Sequence, residues 1–316
     1  MKKIIYCGTP SISVKPLQAL IDLGYEIGFI ITQPDKALNR QKKIIVSPLK
    51  EFALKNNITI YQPNKVIELL DTIINYEPDF LVTCAYGQFI PDKILNLFKN
   101  CINVHASLLP LYRGGSPVQY SLMNGDKETG ISLMKMIKKM DAGDVYVQSK
   151  ICINENDDNG VLFDKLSSLA YQIVKNNINQ IFNNEIKPKP QDESKVTFAY
   201  NLKNEEEKIN WNQSSIQVHN FVRALSPTPI AYTFLENERI KIKKTALIKD
   251  DEPLIIPLKL FFPGEIVLID KKGIIVATMN GYIRILELQR EGKKMLESSV
   301  YYKQQNCFIK PGMVFK

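Results

Sequence analysis

The segment Ile102-Asn103-Val104-His105-Ala106-Ser107-Leu108-Leu109-Pro110 sets an amide and an imidazole two residues apart at the end of an apolar run. If residues 101–105 form a β-strand, side chains alternate between its faces. Asn103 and His105 then share one face, and Ile102 and Val104 share the other. An amide N–H donates a hydrogen bond, and an imidazole donates one or moves a proton. The pair suits a carbonyl substrate whose oxygen gains negative charge. Taken alone, an N-x-H pair is more often a capped strand end with a satisfied histidine.

The next stretch adds to it. Leu111-Tyr112-Arg113-Gly114-Gly115-Ser116-Pro117 reads as a turn-rich loop, and Met140-Asp141-Ala142-Gly143-Asp144 closes a second loop before an apolar run at 145–147. A carboxylate at Asp141 beside His105 would orient its ring. Spacing alone is a weak signal for that contact.

Several other chemistries are not supported. The chain has no G-x-S-x-G elbow and no G-x-x-x-x-G-K-[ST] loop, and Gly8-Thr9-Pro10 lacks the rest of the dinucleotide fingerprint. The 2 histidines, His105 and His219, and the 5 cysteines are scattered, so no zinc site with closely spaced ligands is expected. An odd cysteine count in a chain of 316 residues argues against disulfide stapling. No apolar run is long enough to span a bilayer, and the start is too short for a signal-peptide core. These features lead us to expect a cytoplasmic protein without a membrane partner.

The elements that must position these residues follow from periodicity. Residues 3–7, 26–31, 59–61, 80–84 and 101–105 read as strands. Between them lie amphipathic or capped helical stretches, one carrying Val14, Leu17, Leu20 and Ile21, one opened by Ser47-Pro48, and one at 91–97. Such alternation predicts a Rossmann-like, doubly wound, mostly parallel sheet, with 101–105 as a central strand whose C-terminal end lies where such sheets hold ligands. Residues 160–182 read as a long helix.

Composition changes near residue 186. Lys187-Pro188-Lys189-Pro190 and the polar stretch after it read as a linker. From residue 231 the pattern is strands, at 231–236, 240–248, 264–269, 273–277 and 282–289, separated by turn residues. This predicts an OB-like β-barrel. The expected organisation is a catalytic domain over 1–189, a linker over 190–208 and a barrel over 209–316.

The net charge is +8. Residues 201–316 carry 18 basic and 13 acidic residues, against 23 and 20 in residues 1–200, so the smaller part holds the larger surplus. That points to a polyanionic partner for the second domain, although a lysine-rich surface alone gives the same count. The richness in Ile, Lys and Asn also fits an AT-rich genome.

Asn103-Val104-His105-Ala106-Ser107-Leu108-Leu109-Pro110, with Tyr112-Arg113-Gly114 and Asp141-Ala142-Gly143-Asp144, resembles the folate-dependent formyltransferases. The likeness runs along nearly the whole chain, through Gly8-Thr9-Pro10, Thr32-Gln33-Pro34-Asp35, Ala85-Tyr86-Gly87, Ile209-Asn210-Trp211 and Pro263-Gly264. It is greatest to the branch of the family that modifies tRNA. The resemblance implies that the formyl group of 10-formyltetrahydrofolate passes to the α-amino group of methionine on initiator methionyl-tRNA, without a metal. The amine attacks the formyl carbon and a tetrahedral oxyanion forms. Asn103 and His105 are the implied oxyanion stabilisers, and Asp141 orients and charges His105 and takes part in proton transfer.

Folate contacts carry over to Ser107, Leu108, Leu109 and Pro110, with Tyr86 and Gly87 nearby. For the leucines, core packing is the competing role. The tRNA contacts implied or suggested by charge fall on Lys36, Arg40, Lys42 and Lys43 in the loop 35–43, on Lys187 and Lys189, and on Lys241 and Lys243. Arg40 takes the place of the family's key arginine, but Asn39 and Gln41 flank it where glycines are usual. The chain is expected to act as a monomer. Two other functions compete: formyl transfer to an amino sugar nucleotide or other small amine, and RNA binding without catalysis. The basic elements speak against the first, and the Asn103, His105 and Asp141 set against the second.

Overall fold

The β-branched runs of the first half become strands of one sheet. In the computed structural model, which describes residues 2–35, 46–248, 252, 256, 258, 260–302 and 308–316, these are β1 (Lys3–Gly8), β2 (Glu26–Ile31), β3 (Ile60–Tyr61), β4 (Phe80–Cys84) and β5 (Asn100–His105). They pair in parallel, and β6 (Glu128–Lys135) and β7 (Val145–Cys152) add to β5 antiparallel, giving the order β3-β2-β1-β4-β5-β6-β7. β1 and β4 are near-continuous apolar runs because both their faces are covered. One face packs Ile5, Cys7, Leu81 and Cys101 against Ile73, Ile90 and Ile94.

Helices α1 (Val14–Asp22), α2 (Pro48–Lys55), α3 (Leu70–Tyr76) and α4 (Asp92–Leu95) lie between the parallel strands. Ser47 caps α2 by accepting from the Lys50 N–H at 3.2 Å, with proline at the first turn. The helix expected over 91–97 is shortened to four residues. α5 (Pro117–Met123) precedes β6, and α6 (Asn159–Phe182) returns after β7. Phe182 at the end of α6 stacks on Phe80, with centroids 3.7 Å apart.

Among the described residues of the second half, the strands pair antiparallel. β8 (Tyr232–Leu235), β9 (Glu238–Leu247), β10 (Ile266–Asp270), β11 (Gly273–Ala277) and β12 (Tyr282–Arg290) run in the order β10-β11-β12-β9-β8, and β13 (Met295–Glu297) pairs with β12. The two edges of this sheet meet on one segment. Phe234 in β8 exchanges backbone hydrogen bonds with Lys316 at 3.0 and 2.8 Å, while Ile266 in β10 donates to the Met313 carbonyl at 2.8 Å. The C-terminal residues thereby link β8 to β10 and leave neither edge open there. Trp211 stacks on Phe315 in the core, where α7 (Ser215–Ala224) inserts Val218 and Val222 beside Ile240, Ile242, Ile274 and Ile285.

The chain forms two compact units. The first takes Met1–Pro117, Glu128–Cys152 and Phe163–Asn201, and the second takes Val118–Lys127, Ile153–Leu162 and Leu202–Lys316. Residues 191–201, expected within a linker, belong to the first unit. No helix among the described residues is long and apolar enough to cross a membrane.

Candidate active site

Parallel register sets Thr83 of β4 beside Asn103 of β5. The Thr83 hydroxyl donates to Asn103 Oδ1 at 2.8 Å, which turns the Asn103 amide nitrogen outward. Nδ2 donates to Asp141 Oδ1 at 3.2 Å. That nitrogen carries two hydrogens, and the second makes no hydrogen bond among the described residues.

His105 lies on the same strand face, as period two requires, and is buried at 6% exposure. Its Nε2 is 3.0 Å from the Tyr112 carbonyl. A carbonyl oxygen only accepts, so Nε2 carries the hydrogen of that bond. Nδ1 is left facing Asp141 Oδ2 at 3.7 Å. Among the described residues no group of three or more His, Cys, Asp or Glu side chains is arranged to hold a metal ion.

Asp141 is held from three sides. Its Oδ2 accepts from the Gly114 N–H at 2.9 Å. Its backbone is left-handed, at φ 48°, and its carbonyl accepts from Gln191 Nε2 at 2.8 Å. The same nitrogen donates to the Gly143 carbonyl at 2.7 Å. Gln191 Oε1 in turn accepts from Arg113 Nε at 3.1 Å and Nη2 at 2.9 Å. The Arg113 guanidinium is fully buried and pairs with Glu193 at 2.7 Å. Arg113, and then Lys139, hold the Glu193 carboxyl below its usual range. Gly114, at φ 129°, must be glycine, since a Cβ there would sit 2.5 Å from the Ala199 carbonyl oxygen.

The expected folate loop packs on itself. The Ser107 hydroxyl donates to the Leu111 carbonyl at 2.6 Å, and the Ser107 carbonyl accepts from Ser132 Oγ at 2.6 Å. Leu109 is buried at 5%, and its N–H and carbonyl are taken by Ser132 and Gln148. Leu108 and Pro110 are half-buried and remain as accessible apolar surface. Tyr86 joins the core of the first unit, yet its hydroxyl is buried with no hydrogen-bond partner among the described residues, and burial pushes that phenol up from its ordinary value. The Tyr86 carbonyl accepts from Thr9 and Gln33, and Gly87 follows at φ 81°.

The expected tRNA contacts are dispersed. Lys36, Arg40, Lys42 and Lys43 lie outside the described residues. Lys187 and Lys189 are exposed and make no ion pair among the described residues. Lys241 and Lys243 stand opposite the buried Ile240 and Ile242, as alternation predicts. Lys243 is ion-paired with Glu287 at 2.8 Å, and Lys241 approaches the Pro229 carbonyl at 3.4 Å. Thr83, Gln191 and Glu193 were not anticipated, nor was the role of the Tyr112 carbonyl. Thr83 carried one signal, as the lone hydroxyl in the apolar run Phe80-Leu81-Val82-Thr83-Cys84.

Comparison with known proteins places the whole chain among relatives. The family model described as formyl transferase matches residues 2–178, and that described as formyl transferase, C-terminal domain, matches residues 201–306. A Mesoplasma florum protein named methionyl-tRNA formyltransferase is 48% identical over 316 residues, 99% of each chain. One of the same name from Lactobacillus johnsonii is 40% identical over 99% of this chain and 98% of its own. Among solved structures, WlaRD, a sugar 3N-formyl transferase in the presence of dTDP and 5-N-formyl-THF, aligns with TM-score 0.65 and 26% identity over 93% of this chain and 99% of its own. The methionyl-tRNA formyltransferase of Clostridium thermocellum shares the fold, with TM-score 0.55 and 19% identity over 80% of this chain and 96% of its own. On the two domain matches and the full-length relatives, this chain belongs to the formyl transferase family.

Proposed function

We propose that this enzyme transfers the formyl group of 10-formyltetrahydrofolate to the α-amino group of methionine on initiator methionyl-tRNA, in the cytoplasm and as a monomer. The convergence of Asn103, His105 and Asp141 at the end of β5 carries the reading. The full-length likeness to proteins named methionyl-tRNA formyltransferase favours this acceptor over an amino sugar nucleotide.

The folate co-substrate supplies an activated formyl group. The apolar surface of Leu108 and Pro110, the backbone at Gly87 and the orphaned Tyr86 hydroxyl suit a ligand with a flat apolar body and polar edges. Ser107 and Leu109 shape that loop from within. The free N–H of Asn103 Nδ2 is the donor for the formyl oxygen as negative charge develops on it, and Thr83 and Asp141 preorganise it. His105 supports the same oxygen electrostatically. Asp141 Oδ2 and His105 Nδ1 take up the proton that the attacking amine must lose and return it to the folate nitrogen, whose bond to the formyl carbon breaks as the oxyanion collapses. Lys187, Lys189, Lys241, Lys243 and the loop bearing Lys36, Arg40, Lys42 and Lys43 supply counter-charge for tRNA phosphates.

The test is transfer from 10-formyltetrahydrofolate to methionyl-tRNA, set against a UDP-linked amino sugar. Formylation of the tRNA alone is expected. Asn103→Ala should lower kcat about 10²- to 10³-fold, the usual effect of losing one oxyanion donor, with KM for tRNA within about twofold. Turnover of the sugar without the tRNA would replace this reading.

A further inference from the structure

Residues 197–200 run alongside the loop that holds Asp141. The Arg113 N–H donates to the Thr197 carbonyl at 2.9 Å, the Ala199 N–H donates to the Arg113 carbonyl at 2.9 Å, and the Ser116 N–H donates to the Ala199 carbonyl at 3.0 Å. The Thr197 hydroxyl accepts from the Tyr112 N–H at 2.8 Å. Extended backbone alternates its side chains. Ala199 therefore faces inward and is fully buried, while Phe198 and Tyr200 face outward at 45% and 59% exposure. Their rings lie parallel within 2°, with centroids 5.6 Å apart. Two large rings are thus held side by side in water on a backbone tied down at four points.

The reaction proposed above determines what reaches this place. The amino group that accepts the formyl belongs to an amino acid esterified to the last ribose of the tRNA. The base on that ribose, and the unpaired nucleotides before it, must lie close to Asp141 when the amine does. Asp141 is bonded to the Gly114 N–H, one residue from the Arg113 backbone that pairs with residues 197–199. Strands paired in this way lie about 5 Å apart. Upstream on the same segment, Lys187 and Lys189 are exposed and make no ion pair among the described residues. Parallel aromatic faces are how proteins hold single-stranded nucleic acid without regard to sequence, because every base has a face to stack.

We propose that Phe198 and Tyr200 form a stacking platform for the unpaired terminal bases of the aminoacyl-tRNA. The proposal rests on the tRNA reading of the active site. Both side chains are exposed, so their truncation leaves the core intact.

The test uses the full chain, its Phe198→Ala, Tyr200→Ala and doubly substituted forms, and Phe198→Trp. The probe is methionyl-tRNA with 2-aminopurine as its terminal base, whose fluorescence is quenched when it stacks. Binding to the unsubstituted protein should quench the probe, and the double substitution should abolish the quench. It should also raise KM for methionyl-tRNA about 10- to 100-fold, within the range expected for loss of base stacking, and leave KM for the formyl donor unchanged, whereas Phe198→Trp, which keeps an aromatic face, should keep the quench and a tRNA KM within about twofold. A quench that survives the double substitution, a tRNA KM within about twofold, or a change confined to the KM of the formyl donor would overturn the platform alone. An unsubstituted protein that does not formylate methionyl-tRNA would overturn the function and the platform together.

Discussion

A side-chain amide can present either its oxygen or its nitrogen, and an oxyanion donor needs the nitrogen forward. Two neighbours make that choice for Asn103. The Thr83 hydroxyl donates to Oδ1, and Asp141 accepts from Nδ2. Removing the hydroxyl leaves only Asp141 to set the amide. A neutral hydrogen bond of this kind contributes about 1 kcal/mol, a factor of about 5. Thr83→Val should therefore lower kcat about 5- to 10-fold while both KM values stay put. Thr83→Ser, which restores the donor, should recover most of the rate. Steady-state kinetics reads this directly, and an unchanged kcat in Thr83→Val would remove Thr83 from the positioning set. The shared face of Asn103 and His105 was legible beforehand, because period two needs no knowledge of the partner strand. Thr83 was not, since its nearness to Asn103 depends on parallel register, which a single strand does not encode. The partner of His105 Nε2 is a backbone carbonyl at Tyr112, and no side-chain type announces that.

At the scale of elements, the strands of the first half were legible from apolar runs bounded by turns. β6 was not, because it is buried on both faces and Gly130 and the buried Ser132 break its apolar run. Residues 191–201 looked like linker because they are polar and follow Lys187-Pro188-Lys189-Pro190. Their bonds to the first unit run through side chains and irregular backbone, to which hydropathy is blind. α7 offers a test of its own. Its His219 is hydrogen-bonded to Thr245 of β9 at 2.9 Å, and burial, then the Arg223 charge, lowers its pKa below the ordinary 6.5, with Glu155 opposing. A histidine more easily protonated unfolded than folded stabilises the fold above its ordinary value. That stability is lost as pH falls through 6.5 and levels off below the folded value. Melting of the second unit should therefore shift to lower temperature between about pH 7.5 and about pH 5.5, above the range where most carboxylates titrate. In His219→Gln the shift should shrink. Equal shifts in both proteins would show that His219 is not the group responsible.

For the molecule as a whole, the surplus of +8 was a hint whose sites were not legible from counting. The structure separates lysines that are free from lysines that are spoken for. Lys243 is neutralised by Glu287, and Lys150 by Glu128 at 2.9 Å. Lys187 and Lys189 have no such partner among the described residues. A lysine already paired gives little to a phosphate, because its carboxylate must first be left behind. Free lysines release counterions in full, and each phosphate they neutralise adds about 0.7 to 0.9 to the slope of log affinity against log salt. The affinity for methionyl-tRNA should thus fall steeply with added KCl. Replacing Lys187 and Lys189 together by alanine should flatten the slope by about 1 to 2 units. Lys243→Ala should change it by less than half a unit, roughly the share left to an ion-paired group. Titrations of tRNA binding at several salt concentrations decide the matter. A larger change from Lys243→Ala than from the Lys187 and Lys189 pair would mean that the phosphate path crosses β9, with Glu287 displaced when tRNA binds.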